Sequence, residues 1–184
     1  MFTQGSWLNP PENWSADGAQ LRVTTDASTD FWRKTQYGFI RDSGHFFGTQ
    51  IDGDFTAQLH VAAQYSALYD QAGLMVRIDE QNWIKCGVEF SDGQLLLSSV
   101  LTLDKSDWAV SIAPAMPDGF WLRVTVEKGA IRVQYSTDGL RSPGAVSRRR
   151  ALPGGPHVLH TGTWWPGSGF FAVFHRSGAA KRLA

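Results

Sequence analysis

Through the middle of the chain, hydrophobic and polar residues alternate at every second position, the signature of a strand with one buried face. The clearest case brackets Asp92-Gly93, a dipeptide suited to a two-residue hairpin turn because both positions tolerate positive φ. Pairing Ser91 with Gln94 and counting back sets Phe90 against Leu95, Val88 against Leu97, Cys86 against Ser99 and Ile84 against Leu101. That face is largely apolar. Its reverse carries Trp83, Lys85, Gly87 and Glu89 from one strand and Leu96, Ser98, Val100 and Thr102 from the other. A second hairpin, turning at Lys128-Gly129, sets Val126 against Ile131, Val124 against Val133 and Leu122 against Tyr135. Its reverse is polar apart from Trp121.

The same alternation predicts strands over 20–25, 54–61, 74–79 and 169–174, and no segment carries a helical stripe. Short strands punctuated by Gly, Pro, Asn and Asp predict an all-β sandwich or barrel closed by Greek-key or jelly-roll connections. All-β sandwiches reach 184 residues around one core, and no stretch has the composition of a linker, so residues 1–184 are expected to form a single domain.

Charge removes two classes of partner. Lys plus Arg equals Asp plus Glu at 17 each, so the chain lacks the positive excess that a nucleic acid or an anionic membrane surface selects. The one basic run, Arg148-Arg149-Arg150, reads as a solvated loop. The lone Cys86 lies in an apolar strand pattern and reads as core, and no apolar run is long enough to span a membrane. The N-terminus has neither a basic nor an apolar leader segment, so a cytoplasmic location is expected.

Candidate chemistry is densest in Tyr69-Asp70-Gln71-Ala72-Gly73, the strand LMVRID that contains Arg77, the run Asn82-Trp83-Ile84-Lys85, and Ser106-Asp107-Trp108. Each piece joins a ring to a hydrogen-bonding group. That mix suits a sugar, whose CH faces stack on rings while its hydroxyls need donors and acceptors. It equally suits strand ends locked by Asp side chains and capped by Trp, and the sequence leaves both open. Hydrolysis by the usual carboxyl pair, roughly 5 to 5.5 Å apart, finds no pair within one strand. Lys85 and Glu89 share a face about 13 Å apart along it, and Asp79 and Glu80 point to opposite faces.

Metal sites are not expected. His157-x-x-His160 on a strand would place its rings on opposite faces, and Asp52-Gly53-Asp54 lacks the closing Glu of a calcium loop and reads as a turn before Phe55. Nucleophile elbows, phosphate loops and dinucleotide fingerprints are absent, and Trp164-Trp165-Pro166-Gly167-Ser168-Gly169 reads as a rigid loop. No cofactor is expected.

The segments TDASTDFWRKTQYGF, GDFTAQLHV, YDQAGLMVRIDEQNWIKCGVEF, SSVLT, SDW and STDG together resemble the regulation-of-enolase family, a domain of unknown function, from about Trp7 to Phe174. The resemblance implies a concanavalin A-like jelly-roll sandwich of two antiparallel sheets, the concave one holding carbohydrate in related lectins and glucanases. It places the family's recurrent polar and aromatic positions on Asp30, Trp32, Arg33, Tyr69, Asp70, Gln71, Trp83, Lys85, Glu89, Asp107 and Trp108. None of these carries an implied catalytic role. The ending FHRSGAAKRLA departs from the family pattern, so residues 175–184 are expected to be a loose tail.

The leading expectation is a non-catalytic binding module that takes a saccharide or polyol on a concave sheet face. The candidate ligand-binding residues are Trp32, Arg33, Tyr69, Asp70, Gln71, Arg77, Trp83, Lys85, Glu89, Asp107 and Trp108. The alternatives are a regulatory protein that binds a metabolic enzyme, as the family's name implies, and a glycan-active hydrolase, which the missing carboxyl pair disfavours.

Overall fold

The computed structural model describes residues 5–17 and 19–139, and the strands at 144–148, 162–163, 168–170 and 172–175. Arg149, Arg150, His157, His160, Trp164 to Gly167 and the tail after His175 lie outside the described residues. In chain order the strands are β1 Ser6–Leu8, β2 Asn13–Ala16, β3 Leu21–Thr24, β4 Phe31–Arg33, β5 Ile40–Asp42 and β6 His45–Gly48. They continue as β7 Phe55–Val61, β8 Gln71–Arg77, β9 Asn82–Ser91, β10 Gln94–Leu103, β11 Lys105–Ile112 and β12 Phe120–Glu127. The last are β13 Ala130–Ser136, β14 Gly144–Arg148, β15 Gly162–Thr163, β16 Ser168–Phe170 and β17 Ala172–His175.

Two sheets form the sandwich. One has seven strands in the order β1-β6-β17-β8-β9-β10-β11, the other six in the order β14-β13-β12-β7-β16-β15. Every neighbouring pair is antiparallel except β7 with β16. Between the sheets lie Ala72, Leu74, Val76, Ile84, Cys86 and Val88 from β8 and β9, against Phe55, Ala57, Leu59, Leu122, Val124 and Val126 from β7 and β12. Burying each large apolar side chain contributes about 1.5–3 kcal/mol, which is why the two inward faces define the architecture.

Both expected hairpins form in the expected register, Phe90 facing Leu95 and Ile84 facing Leu101 in one, Val124 facing Val133 in the other. Their turns show why. Asp92 and Gly93 have φ of 52° and 76°, and Lys128 and Gly129 have 48° and 75°, so both central residues of each turn are left-handed, as the twist of a tight hairpin demands. Asp54, read as part of a turn, accepts the Lys128 amide at 2.9 Å and ties the second hairpin to the start of β7.

Three expectations change. The strand expected over 74–79 begins at Gln71 and stops at Arg77, because the Ile78 amide turns back to the Asn82 carbonyl and the Asp79 carboxylate takes the Gln81 and Asn82 amides. The strand expected over 169–174 is two strands in different sheets, β16 beside β7 and β17 between β6 and β8. Alternation alone cannot reveal such a crossing. Finally, the reverse face of the first hairpin is covered: Trp83 is 1% exposed, Lys85 4% and Glu89 3%.

Over Trp83 and Lys85 the cover is the ribbon β4–β5. Phe31 meets Trp83 edge-on at 6.2 Å, the Arg33 amide donates to Ser106 Oγ at 2.9 Å, and Arg77 makes two hydrogen bonds of 2.7 and 2.8 Å to the Asp42 carboxylate. Beyond the ribbon's reach, Gly73 of β8 sits opposite Gly87 of β9. A Cβ at Gly73 would strike the Cys86 carbonyl oxygen, and one at Gly87 the Ala72 carbonyl oxygen, so the backbones pack too closely for any side chain. Gly73→Ala and Gly87→Ala are each expected to cost about 3 kcal/mol, the upper range for overpacking, measured as a lower urea midpoint with an unchanged slope.

Candidate functional site

The outward face of β8, β9 and β10 is a lattice of cross-strand rows. Gln71 pairs with Glu89 and Glu89 with Leu96; Gly73 pairs with Gly87 and Gly87 with Ser98; Met75 pairs with Lys85 and Lys85 with Val100. The middle row has no side chain at two of its three positions. Its floor is therefore bare backbone, and the result is a dimple of about 230 Å³, open at the mouth, with Gln71, Lys85 and Ser98 on its walls.

Charges surround this dimple. Lys85 Nζ lies 3.1 Å from Asp30 Oδ1 and 6.0 Å from the centre of the Trp83 ring, so the buried ammonium is held by a carboxylate and an aromatic face. Asp30 Oδ1 also accepts the Phe31 amide at 2.6 Å, which fixes the carboxylate from the ribbon side. Glu89 follows Gly87 on the same face, and its Oε2 is buried with no hydrogen-bond partner. Burial pushes the Glu89 carboxyl above its usual range, against the pull of Lys85 and of hydrogen bonds from Ser98 and Trp108.

Aromatic rings lie beside the Ser98 wall. Trp108 Nε1 donates to Ser98 Oγ at 3.0 Å, and the Trp108 and Tyr69 rings meet edge-on at 6.5 Å. Tyr69 has a φ of 66°, an uncommon conformation for a bulky residue, held by the hydrogen bond its amide N–H donates to the Phe90 carbonyl at 2.6 Å and by the turn that Asp70 caps. Burial first, then hydrogen bonding with Tyr37, pushes the Tyr69 hydroxyl up to about 12, so it is a neutral donor and acceptor at physiological pH. Tyr37 in turn stacks on Phe39 at 5.3 Å and an interplanar angle of 10°.

Of the residues singled out from sequence, the fold brings Tyr69, Gln71, Lys85, Glu89 and Trp108 together, with Trp83 buried beside Lys85. The others stand apart from the dimple. Trp32 donates from Nε1 to the Thr35 carbonyl at 2.9 Å and closes the ribbon turn. Arg33 reaches Asp104, and Arg77 fastens the ribbon to the sheet through Asp42 while its guanidinium lies 5.7 Å from the Phe31 ring. Asp70 takes the Ser66 and Ala67 amides at 2.9 and 2.8 Å. Asp107 sits exposed on β11 opposite Leu101, on the other face of the sheet.

Sequence reasoning missed the Gly73–Gly87 floor, Ser98 as a wall and Tyr37 as the partner of Tyr69. It reached Asp30 only through the family resemblance. The available signal was a glycine inside each of two neighbouring strand patterns, which marks close approach of something to the backbone. Among the described residues no group of three His, Cys, Asp or Glu could hold a metal ion, and no helix is long and apolar enough to cross a membrane. The buried Cys86 thiol is pushed up to about 12 by desolvation, which makes it a packing group and a poor nucleophile.

Two facing sheets, with a polar, glycine-floored dimple on the seven-stranded one, define a concanavalin A-like β-sandwich. The chain belongs to the family described as "Protein of unknown function (DUF1349)", whose model matches residues 7–155. It is 49% identical to Regulation of enolase protein 1 of Saccharomyces cerevisiae over 158 residues, 86% of this chain and 79% of that one. It is 26% identical over 114 residues to the uncharacterized protein AN7484 of Emericella nidulans, covering 59% of this chain and 57% of that one. A crystal structure of a functionally unknown protein from Saccharomyces cerevisiae superposes with a TM-score of 0.80 at 46% identity, over 94% of this chain and 93% of that one. The GH43 BlXynB protein from Bacillus licheniformis shares the fold over 82% of this chain and 32% of its own, with a TM-score of 0.54 at 14% identity.

Two substitutions separate the charges. Asp30→Asn leaves Lys85 buried without its carboxylate and is expected to cost about 2 kcal/mol in denaturant unfolding, discounted from a fully buried pair because Asp30 is partly exposed. Glu89→Gln runs the other way. As pH rises, the unfolded glutamate loses its proton first, near pH 4.3, while the native carboxyl retains it, so stability falls through that window and the full penalty stands above the raised native value. Glu89→Gln is therefore expected to melt higher than wild type at pH 7, with the gain vanishing toward pH 4, as calorimetry at the two pH values would record.

Proposed function

We propose that the chain is a non-catalytic binding module that takes a saccharide or polyol at the dimple between Lys85, Gln71 and Ser98. The observation that supports this reading is the bare-backbone floor at Gly73 and Gly87, set between the polar walls of Gln71, Lys85 and Ser98. A ligand hydroxyl would find donors and acceptors on those walls. The sugar ring itself would rest at the open mouth, against Tyr69 and Trp108. The strained Tyr69 backbone agrees, since such strain concentrates where a side chain must be aimed. We take residues 1–184 as one domain working in the cytoplasm, in keeping with the unpaired Cys86.

Isothermal titration with a monosaccharide panel tests this, provided it reaches millimolar affinity, which corresponds to only about 4 kcal/mol. At least one sugar should bind, and Trp108→Ala should weaken it about tenfold through lost stacking. Absence of binding across the panel, or a Trp108→Ala variant that binds unchanged, would refute the proposal.

A second reading, a regulatory protein that binds a metabolic enzyme, draws on the printed name of the 49%-identical relative. It also draws on the edge strand β11, where Val110 is 46% and Ile112 75% exposed. Sedimentation of the chain with a purified enolase should then show a complex that Ile112→Lys abolishes, and two independent species would count against it. A glycan-active hydrolase draws less support, because Asp30, the carboxylate nearest Lys85, is committed to that ammonium and to the Phe31 amide.

A further inference from the structure

We infer a second binding site, on the outward face of the six-stranded sheet, where Arg123 receives one carboxylate or phosphate group of a small anionic ligand. It lies on the other sheet from the dimple and does not depend on it. Register places Arg123 of β12 between Gln58 of β7 and Gln134 of β13. The row before it holds His60, Trp121 and Ser136, and the row after it Thr56, Thr125 and Arg132. None of these neighbours is an acid. Glu127, the next acid along β12, is about 13 Å from Arg123 by the strand rise, and Asp138 is bonded to Ser136 Oγ at 2.8 Å. Arg22, Arg33 and Arg77 each pair with a carboxylate, whereas Arg123 makes no ion pair with any described residue. Its half-buried charge is left uncompensated.

Geometry adds direction to the charge. Arg123 donates from both Nε and Nη2 to Gln58 Oε1, at 2.9 and 2.7 Å. That bond uses the side edge of the guanidinium; the end edge, Nη1 with the second Nη2 hydrogen, bonds no described residue. The end edge is the fork that matches two oxygens of one carboxylate or phosphate. Because Gln58 is neutral, it orients the guanidinium without cancelling its charge, and little ordering is left for binding to bring about. On one side Trp121 forms a wall. Its ring lies 4.8 Å from that of His60 on β7, and on the β13 side a Cβ at Gly139 would come within 2.9 Å of the indole nitrogen. An indole held between those neighbours keeps water from that end of Arg123, and charge attraction strengthens where water is displaced. At the other end the exposed Arg132 adds a second positive charge, and the Thr56 and Thr125 hydroxyls bond each other at 3.1 Å. One fork beside one exposed cation fits a single headgroup.

The test titrates inorganic phosphate and acetate, separately and at constant ionic strength, into wild type, Arg123→Gln and Arg123→Lys. The Trp121 indole N–H resonance, assigned with Trp121→Phe, reports from beside the fork in all three proteins. At least one anion should shift it saturably with a millimolar dissociation constant, and the anion that saturates distinguishes a carboxylate site from a phosphate site. Arg123→Gln should weaken that binding at least about tenfold, through loss of a charge-assisted bidentate contact. Arg123→Lys keeps the charge without the fork and should recover only part of the loss. Both substitutions change an outward-facing side chain that makes no core contact, so both proteins should fold, and either one alone decides the matter. Shifts that stay linear for both anions overturn the inference, as does binding that Arg123→Gln leaves unchanged or that Arg123→Lys restores to the wild-type value.

Discussion

The contact on which the rest of the site depends is the ion pair between Lys85 and Asp30. An ammonium only 4% exposed is tolerable in a sheet face when it is paired, and the pairing carboxylate comes from the chain entering the β4–β5 ribbon. One bond therefore does two things. It neutralises a charge in the middle of β9 and it pins the ribbon over the face that carries Trp83. The Arg77–Asp42 pair repeats the device at the other strand of the ribbon, so the cover is held by charge at both strands and by Phe31 against Trp83 between them.

Where the cover ends, the two glycines decide the shape. With no side chain at Gly73 or Gly87 the sheet surface drops to backbone level, and the neighbours Gln71, Lys85 and Ser98 become walls. Glu89, two residues beyond Gly87 on the same face, is buried with one oxygen unsatisfied, at a cost in stability expressed in its raised pKa.

Much of the scaffold was legible because two-residue turns pin register. Asp92-Gly93 and Lys128-Gly129 each fixed a whole ladder, and the apolar faces followed by counting. The site was legible only in part. Lys85 and Glu89 could be placed on one face, but β8 joins β9 through the longer Ile78–Asn82 turn, so the meeting of Gly73 with Gly87 was out of reach. The ribbon was hidden for another reason: its turn runs through Lys34 and Gln36 at φ of 61° and 64°, residues that do not advertise left-handed conformations. Trp83 consequently looked like an open stacking platform, whereas Phe31 covers it and Trp108 and Tyr69 take the rim.

The central claim is that the glycine-floored dimple between Gln71, Lys85 and Ser98 takes a ligand hydroxyl. A crystal structure of the chain soaked in a neutral monosaccharide, at concentrations well above millimolar, tests it most directly. The account predicts a sugar lying against Tyr69 and Trp108 over Gly87, with one hydroxyl within hydrogen-bond distance of Lys85, Gln71 or Ser98. A sugar bound elsewhere on the chain, with the dimple filled only by solvent, would contradict it.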